Sequence, residues 1–215
     1  MLFRSYEMSN NQDDWKDERT EARLTLLLRT AKLIADGREY LCLVRDVSAT
    51  GTKLQLFHPL PQANSYRLEL EENVEFDLNP VWSEGSFTGF RFAHQCNLGR
   101  LFRNHEVPYP KRQIRLKAPL RGIMRQDAME ESGISFENIS QQGACIQCDK
   151  WFALDQRIIV DLKGFPPIPA RVRWRNRPLY GLVFEQTFRY EELAKRLFLN
   201  LFDENDHPRG APCNS

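Results

Sequence analysis

No uninterrupted apolar run in the 215 residues approaches the roughly 20 that a membrane-spanning helix needs, which excludes insertion by a helix. Charge of one sign is also lacking: 30 Lys and Arg against 29 Asp and Glu leave +1. No whole-molecule field pulls such a chain onto DNA or anionic lipid, so any anion site must be a local patch. Glycine is scarce, 11 in all, and none builds a phosphate-cradling G-x-x-x-x-G-K loop. The five cysteines (Cys42, Cys96, Cys145, Cys148 and Cys213) are odd in number and scattered. With no basic start and apolar stretch in MLFRSYEMSNNQDDWKDE, they point to reduced thiols in a cytoplasm.

Catalytic and metal signals are missing too. His58, His94, His105 and His207 have no Ser or Cys nucleophile motif beside them, and no G-x-S-x-G occurs, so no enzyme is expected. Cys145-x-x-Cys148 is half a zinc site, but residues three apart on a strand face opposite ways, so neither metal nor cofactor is expected.

What the chain does have is globular composition and a repeat. Hydrophobic residues make up 41% and charged residues 27%, enough for one large or two small domains. An offset of 92, without a gap, carries Arg23 onto Arg115, Ser48 onto Ser140, Gly51 onto Gly143, Trp82 onto Trp174, Gly89 onto Gly181 and Phe92 onto Phe184. Asp46 falls on Asn138, its amide. One register held across both Trp and Gly pairs means two copies of one domain, with the second starting near Tyr109.

Each copy reads as β-rich. Val74, Phe76 and Leu78 alternate with polar neighbours, as do Ile168, Ala170, Val172 and Trp174. Asp36-Gly37 between two apolar runs predicts a hairpin, and Ser48 to Gly51 predicts a second tight turn with Gly51 at positive φ. Trp82 and Trp174, at the ends of alternating strands, are expected in the core. NLGRLFRNH and YEELAKRLFLNLF are helical candidates closing each copy, the latter with Leu193, Leu197, Phe198 and Leu201 at helical spacing.

One constellation carries ligand chemistry. Arg19-x-x-x-Arg23 precedes Asp46-x-Ser48-x-x-Gly51. Guanidinium forks suit phosphate oxygens and guanine O6/N7, and stack on bases. A carboxylate at Asp46 complements the guanine Watson–Crick donors, Ser48 can donate to a phosphate or ribose oxygen, and Gly51 admits close backbone approach. The structural alternative is an ordinary turn in which Asp or Ser bonds its own backbone.

In this order these residues resemble the PilZ family: Arg19 and Arg23, then Asp46, Ser48 and Gly51, then VWSEGSFTGFRF with Trp82, Gly89 and Phe92. The second copy resembles it through Asn138, Ser140, Gly143 and RVRWRNRPLYGLVF. The resemblance covers about residues 15–105 and 108–203. It implies an all-β-dominated chain of two tandem six-stranded antiparallel barrels, each with a C-terminal helix. It also implies binding of the bacterial second messenger cyclic di-GMP, with the arginine loop closing over the ligand and the D-x-S-x-x-G turn as the opposite wall. The expected layout is a flexible segment over 1–17, a ligand-binding PilZ-like domain over 18–107, a second over 108–203 and a disordered tail over 204–215.

The second copy departs from the pattern. Lys111 stands where Arg19 stands in the first, followed by Arg112 and Arg115. Lysine is a point charge without a planar fork, so Lys111, Arg112, Arg115, Asn138, Ser140 and Gly143 form at best a weaker second site. Arg171, Arg173, Arg175 and Arg177 recur at period two and are expected to share a strand face, as a partner surface or a solvated stripe. The function expected is a cytoplasmic cyclic di-GMP receptor signalling to an unidentified protein partner. A scaffold that binds no nucleotide is the alternative. An Arg-rich nucleic-acid binder is disfavoured by the net charge.

Overall fold

A computed structural model describes residues 24–71, 74–96, 113–126 and 131–203. Arg19, Arg23, Lys111, Arg112, the N-terminal segment, the helix expected after the first copy and the tail lie outside the described residues.

Twelve strands form two closed barrels. The first holds β1 (Leu24–Ala35), β2 (Arg38–Val47), β3 (Gly51–Leu56), β4 (Tyr66–Glu71), β5 (Val74–Glu84) and β6 (Phe87–Phe92), in the order β1-β2-β3-β6-β5-β4. The second repeats that order with β7 (Arg121–Arg125), β8 (Glu131–Ile139), β9 (Gly143–Gln147), β10 (Arg157–Leu162), β11 (Ile168–Asn176) and β12 (Leu179–Phe184). All pairings are antiparallel. The offset of 92 holds at the level of single pairs: Leu24↔Val47 becomes the Leu116↔Ile139 bridge, and Trp82↔Gly89 becomes Trp174↔Gly181.

Local chemistry explains the elements. Asp36 (φ 46) and Gly37 (φ 82) make the two-residue β1–β2 turn, whose positive φ pair matches strand twist. The Asp36 carboxylate also accepts the backbone N–H groups of Asn64 and Ser65, at 3.0–3.1 Å, which holds its pKa below the ordinary value. Each barrel encloses its own core: Leu33, Leu54, Leu56 and Leu68 in the first, Ile146, Phe152, Val160 and Tyr180 in the second.

Strand β2 does not alternate, and YLCLV is buried on both faces. Tyr40, Cys42 and Val44 face the first core, while Leu41 belongs to the apolar cluster of the second. Helix α1 (Tyr190–Asp203) supplies the cover: Leu193, Ala194 and Leu197 close the second core, and Phe198 stacks on His58 of the first barrel at 4.2 Å and 10°. The Glu39 carboxylate adds a polar tie by accepting the Lys117 N–H at 2.7 Å. Among the described residues no helix is long and apolar enough to cross a membrane.

Candidate ligand-binding wall

The candidate residues reach the outer surface through bulges. In β2, Cys42 and Val44 point inward, and strict alternation would send Asp46 in as well. An irregularity between Val44 and Asp46 inserts Arg45 and turns Asp46 outward, while Val47 returns to the core. In β5, Leu78 and Pro80 pair with Phe92 and Phe90 of the core; a second irregularity at Val81 turns Trp82 outward onto Gly89. The second barrel repeats both devices, at Glu137 before Asn138 and at Arg173 before Trp174.

The result is a lateral row across four strands of each outer wall. Asp46 pairs with Lys53, Lys53 with Gly89 and Gly89 with Trp82. Asn138 pairs with Cys145, Cys145 with Gly181 and Gly181 with Trp174. The indoles are 44% and 39% exposed, so Trp82 and Trp174 are not core residues as the alternation suggested. They occupy the space that a β-carbon on Gly89 or Gly181 would take, which is why Trp and Gly recur together. Lys53, Cys145 and the two tryptophans are wall residues that the strand period hid; the shared offset of each Trp–Gly pair was the available signal.

The turn beside the row is tight in both barrels. Ser48 N donates to the Gly51 carbonyl at 2.8 Å, and Ser48 Oγ accepts the Gly51 N–H at 3.1 Å. Ser140 N likewise donates to the Gly143 carbonyl at 2.8 Å, and Ser140 Oγ donates to the same carbonyl at 3.1 Å. Gly51 is not among the residues at positive φ. Its requirement is room: a β-carbon would lie 2.5 Å from the Phe90 carbonyl oxygen, and one on Gly143 would collide with that of Leu182.

The two walls differ in electrostatics. Asp46 Oδ2 is paired with Lys53 Nζ at 2.7 Å, and that ammonium also lies 5.5 Å from the Phe87 ring centre. In the second barrel the acid is an amide and the lysine a thiol. Asn138 Oδ1 is buried without a hydrogen-bond partner among the described residues. Burial, then the Glu137 carboxylate, push the Cys145 thiol pKa up, while the Arg115 guanidinium opposes them.

The arginine stripe does not keep one face. Arg171 pairs with outward Val183, Arg173 is the bulge residue, and Arg175 pairs with buried Tyr180 at the barrel mouth. Among the described residues no group of three or more metal-ligating side chains is assembled. An open hollow lined by Arg121, Gly133, Ser135, Gln147 and Asp149 lies at the other end of β8 and β9 from the Ser140–Gly143 turn.

No curated protein matches the chain. Among solved structures it is similar to the Borreliella burgdorferi PlzA protein in complex with c-di-GMP, at 12% identity over 84% of this chain and 94% of that one, TM-score 0.32. It is similar to Escherichia coli YcgR in complex with c-di-GMP, at 13% over 82% and 84%, TM-score 0.30. The Bacillus subtilis inhibitor of motility MotI/DgrA gives 13% over 85% and 100%, TM-score 0.33. The family model of the PilZ domain matches residues 110–199, which contain the whole second barrel and its wall. The second barrel is thus the part of the chain that is similar to a PilZ domain.

Proposed function

We propose that the chain is a receptor for cyclic di-GMP that binds the ligand on the outer wall of a barrel and signals without catalysis of its own. The observation carrying this reading is the bulge-flipped row beside the Ser–Gly turn, present in the PilZ-matching barrel and repeated position for position in the first. A carboxylate or amide oxygen there accepts the N1–H and N2–H of a guanine edge, and arginines ahead of the barrel take the phosphates and stack on the bases. In the first barrel Arg19 and Arg23 close over Asp46, Ser48 and Gly51, and ordering of the segment before Arg23 changes the surface a protein partner meets. In the second, Lys111, Arg112 and Arg115 face Asn138, Ser140 and Gly143. The first copy carries both clamp arginines in its sequence, and in the second Asn138 Oδ1 has no partner among the described residues, whereas Asp46 is paired with Lys53.

One observation favours a scaffold that binds no nucleotide: Asp46 and Ser48 are already satisfied within the protein, by Lys53 and by the turn. Calorimetry of the full chain with cyclic di-GMP against GTP, GMP and a short oligonucleotide separates these readings. Binding of cyclic di-GMP alone, weakened by Arg19→Ala, Arg23→Ala or Arg115→Ala, supports the receptor. Absence of heat with every nucleotide leaves the scaffold.

A further inference from the structure

The loop between β9 and β10 runs antiparallel to the end of β11 and is fixed along its length. Asp155 N donates to the Val172 carbonyl at 2.8 Å and Arg171 Nη1 to the Asp155 carbonyl at 3.3 Å. Arg175 Nη1 donates to the Phe152 carbonyl at 3.3 Å, Arg177 Nη2 to that of Asp149 at 3.0 Å, and Tyr180 Oη to that of Lys150 at 2.8 Å. These anchors set Leu154 alongside Arg173. The pinned loop nevertheless leaves Trp151 55% and Leu154 54% exposed. The Arg175 guanidinium lies over the Trp151 ring, 4.9 Å from its centre.

Charge is unbalanced here. Glu185 pairs with Arg157 and Arg171, but among the described residues Arg173, Arg175 and Arg177 have no carboxylate partner. Two large, exposed apolar side chains thus stand on a loop tied to a strand end whose Arg173, Arg175 and Arg177 have no carboxylate partner among the described residues. Tryptophan and arginine are the residue types that dominate binding energy at protein interfaces. The first barrel lacks the whole set: Pro59, Gln62, Val81, Ser83 and Gly85 stand at the corresponding positions. In its equivalent loop Pro59 and Gln62 are exposed too, but neither offers a large apolar side chain or a guanidinium.

We infer that the 149–155 loop and the end of β11 form a docking surface for an acidic segment of a partner protein. One aromatic side chain of that segment seats against Trp151 and Leu154, and its carboxylates pair with Arg173, Arg175 and Arg177. The unneutralised arginines select an acidic partner. The aliphatic Leu154 and the net charge of +1 favour a protein over a nucleic acid. The inference does not depend on nucleotide binding.

A phage-displayed random peptide library panned on the full chain tests it. Enriched peptides are labelled and titrated by fluorescence anisotropy against the parent, Trp151→Ala, Arg173→Glu and, as control, Gln62→Ala. The expected winners combine Asp or Glu with one aromatic residue. They bind both loop variants at least about tenfold more weakly, and bind Gln62→Ala like the parent. Arg173 makes no described contact, so Arg173→Glu carries the test if Trp151→Ala shifts the unfolding midpoint. Winners without acidic bias, no winners, or equal binding by Arg173→Glu overturn the inference. Labelled oligothymidylate that binds the parent and is lost in the same variants overturns it in favour of a single-strand platform.

Discussion

The Trp82 indole fills the space that a side chain on Gly89 would need, and Trp174 does the same over Gly181. Each pair joins β5 to β6, or β11 to β12, on the outer wall. Because both indoles are substantially exposed, a methyl group can displace them into solvent without opening the barrel. Gly89→Ala and Gly181→Ala should each cost about 1–2 kcal/mol, the part of an aromatic side chain's burial lost when the ring swings out. Tryptophan emission should shift to the red in the folded variants. Unchanged emission would mean that the strands, not the rings, have moved.

Gly51 and Gly143 face a harder neighbour. The colliding atom is a backbone carbonyl of β6 or β12, which cannot rotate away as a side chain does. Gly51→Ala and Gly143→Ala should cost more than the tryptophan-covered glycines, about 2–3 kcal/mol by analogy with overpacked cores. Denaturant midpoints of the four variants check this order. The reverse order would refute close strand approach as the reason for glycine in the turn.

The Asp46–Lys53 pair should matter for ligand and little for stability. Its side chains are 21% and 38% exposed, and ion pairs so placed contribute less than about 1 kcal/mol. Lys53→Met should therefore leave the unfolding midpoint almost unchanged. Asp46→Ala should weaken cyclic di-GMP binding by the loss of hydrogen bonds to a charged acceptor, roughly ten- to a hundredfold. Asn138→Ala tests the other wall in the same titration. Whichever substitution abolishes the larger share of binding identifies the principal site, and indifference to both would remove the row from the ligand's surroundings.

Strand positions were legible because the offset of 92 keeps the order of apolar and turn residues from Asp46 to Phe92 in both copies, and because the Asp36-Gly37 hairpin of the first has its own turn signal. Asp46, Ser48 and Gly51 were legible as a set because the turn needs them close in sequence. The row was not. A period of two cannot register one inserted residue, and Arg45, Val81, Glu137 and Arg173 each reverse the phase of the residues after them. That reversal moves Trp82 and Trp174 from the expected core to the wall and splits the arginine stripe between faces. Contacts such as His58 with Phe198 join residues far apart in sequence, and only the placement of helix α1 reveals them.

His58 gives the fold an acid-sensitive contact. Its Nδ1–H donates to the Pro59 carbonyl at 2.8 Å, so the neutral ring leaves Nε2 unprotonated, and that atom is buried with no hydrogen-bond partner among the described residues, the ring lying against Tyr40 and Phe198. Burial, only partly offset by the Pro59 carbonyl, holds the pKa below the ordinary 6.5. The unfolded chain therefore binds this proton at a higher pH than the folded one. Stability from this contact is full above about pH 6.5 and falls as the pH drops through the folded-state value. Asp36, Glu185 and Glu191 also have lowered pKa values, but from ordinary values of 3.8 or 4.5, so their losses begin further into acid. His58→Phe keeps a ring against Phe198 and removes the titration. Between about pH 7.5 and 5.5 the parent should lose more stability than His58→Phe in denaturant melts. Parallel losses in the two proteins would show that the buried imidazole does not set the acid sensitivity of helix docking.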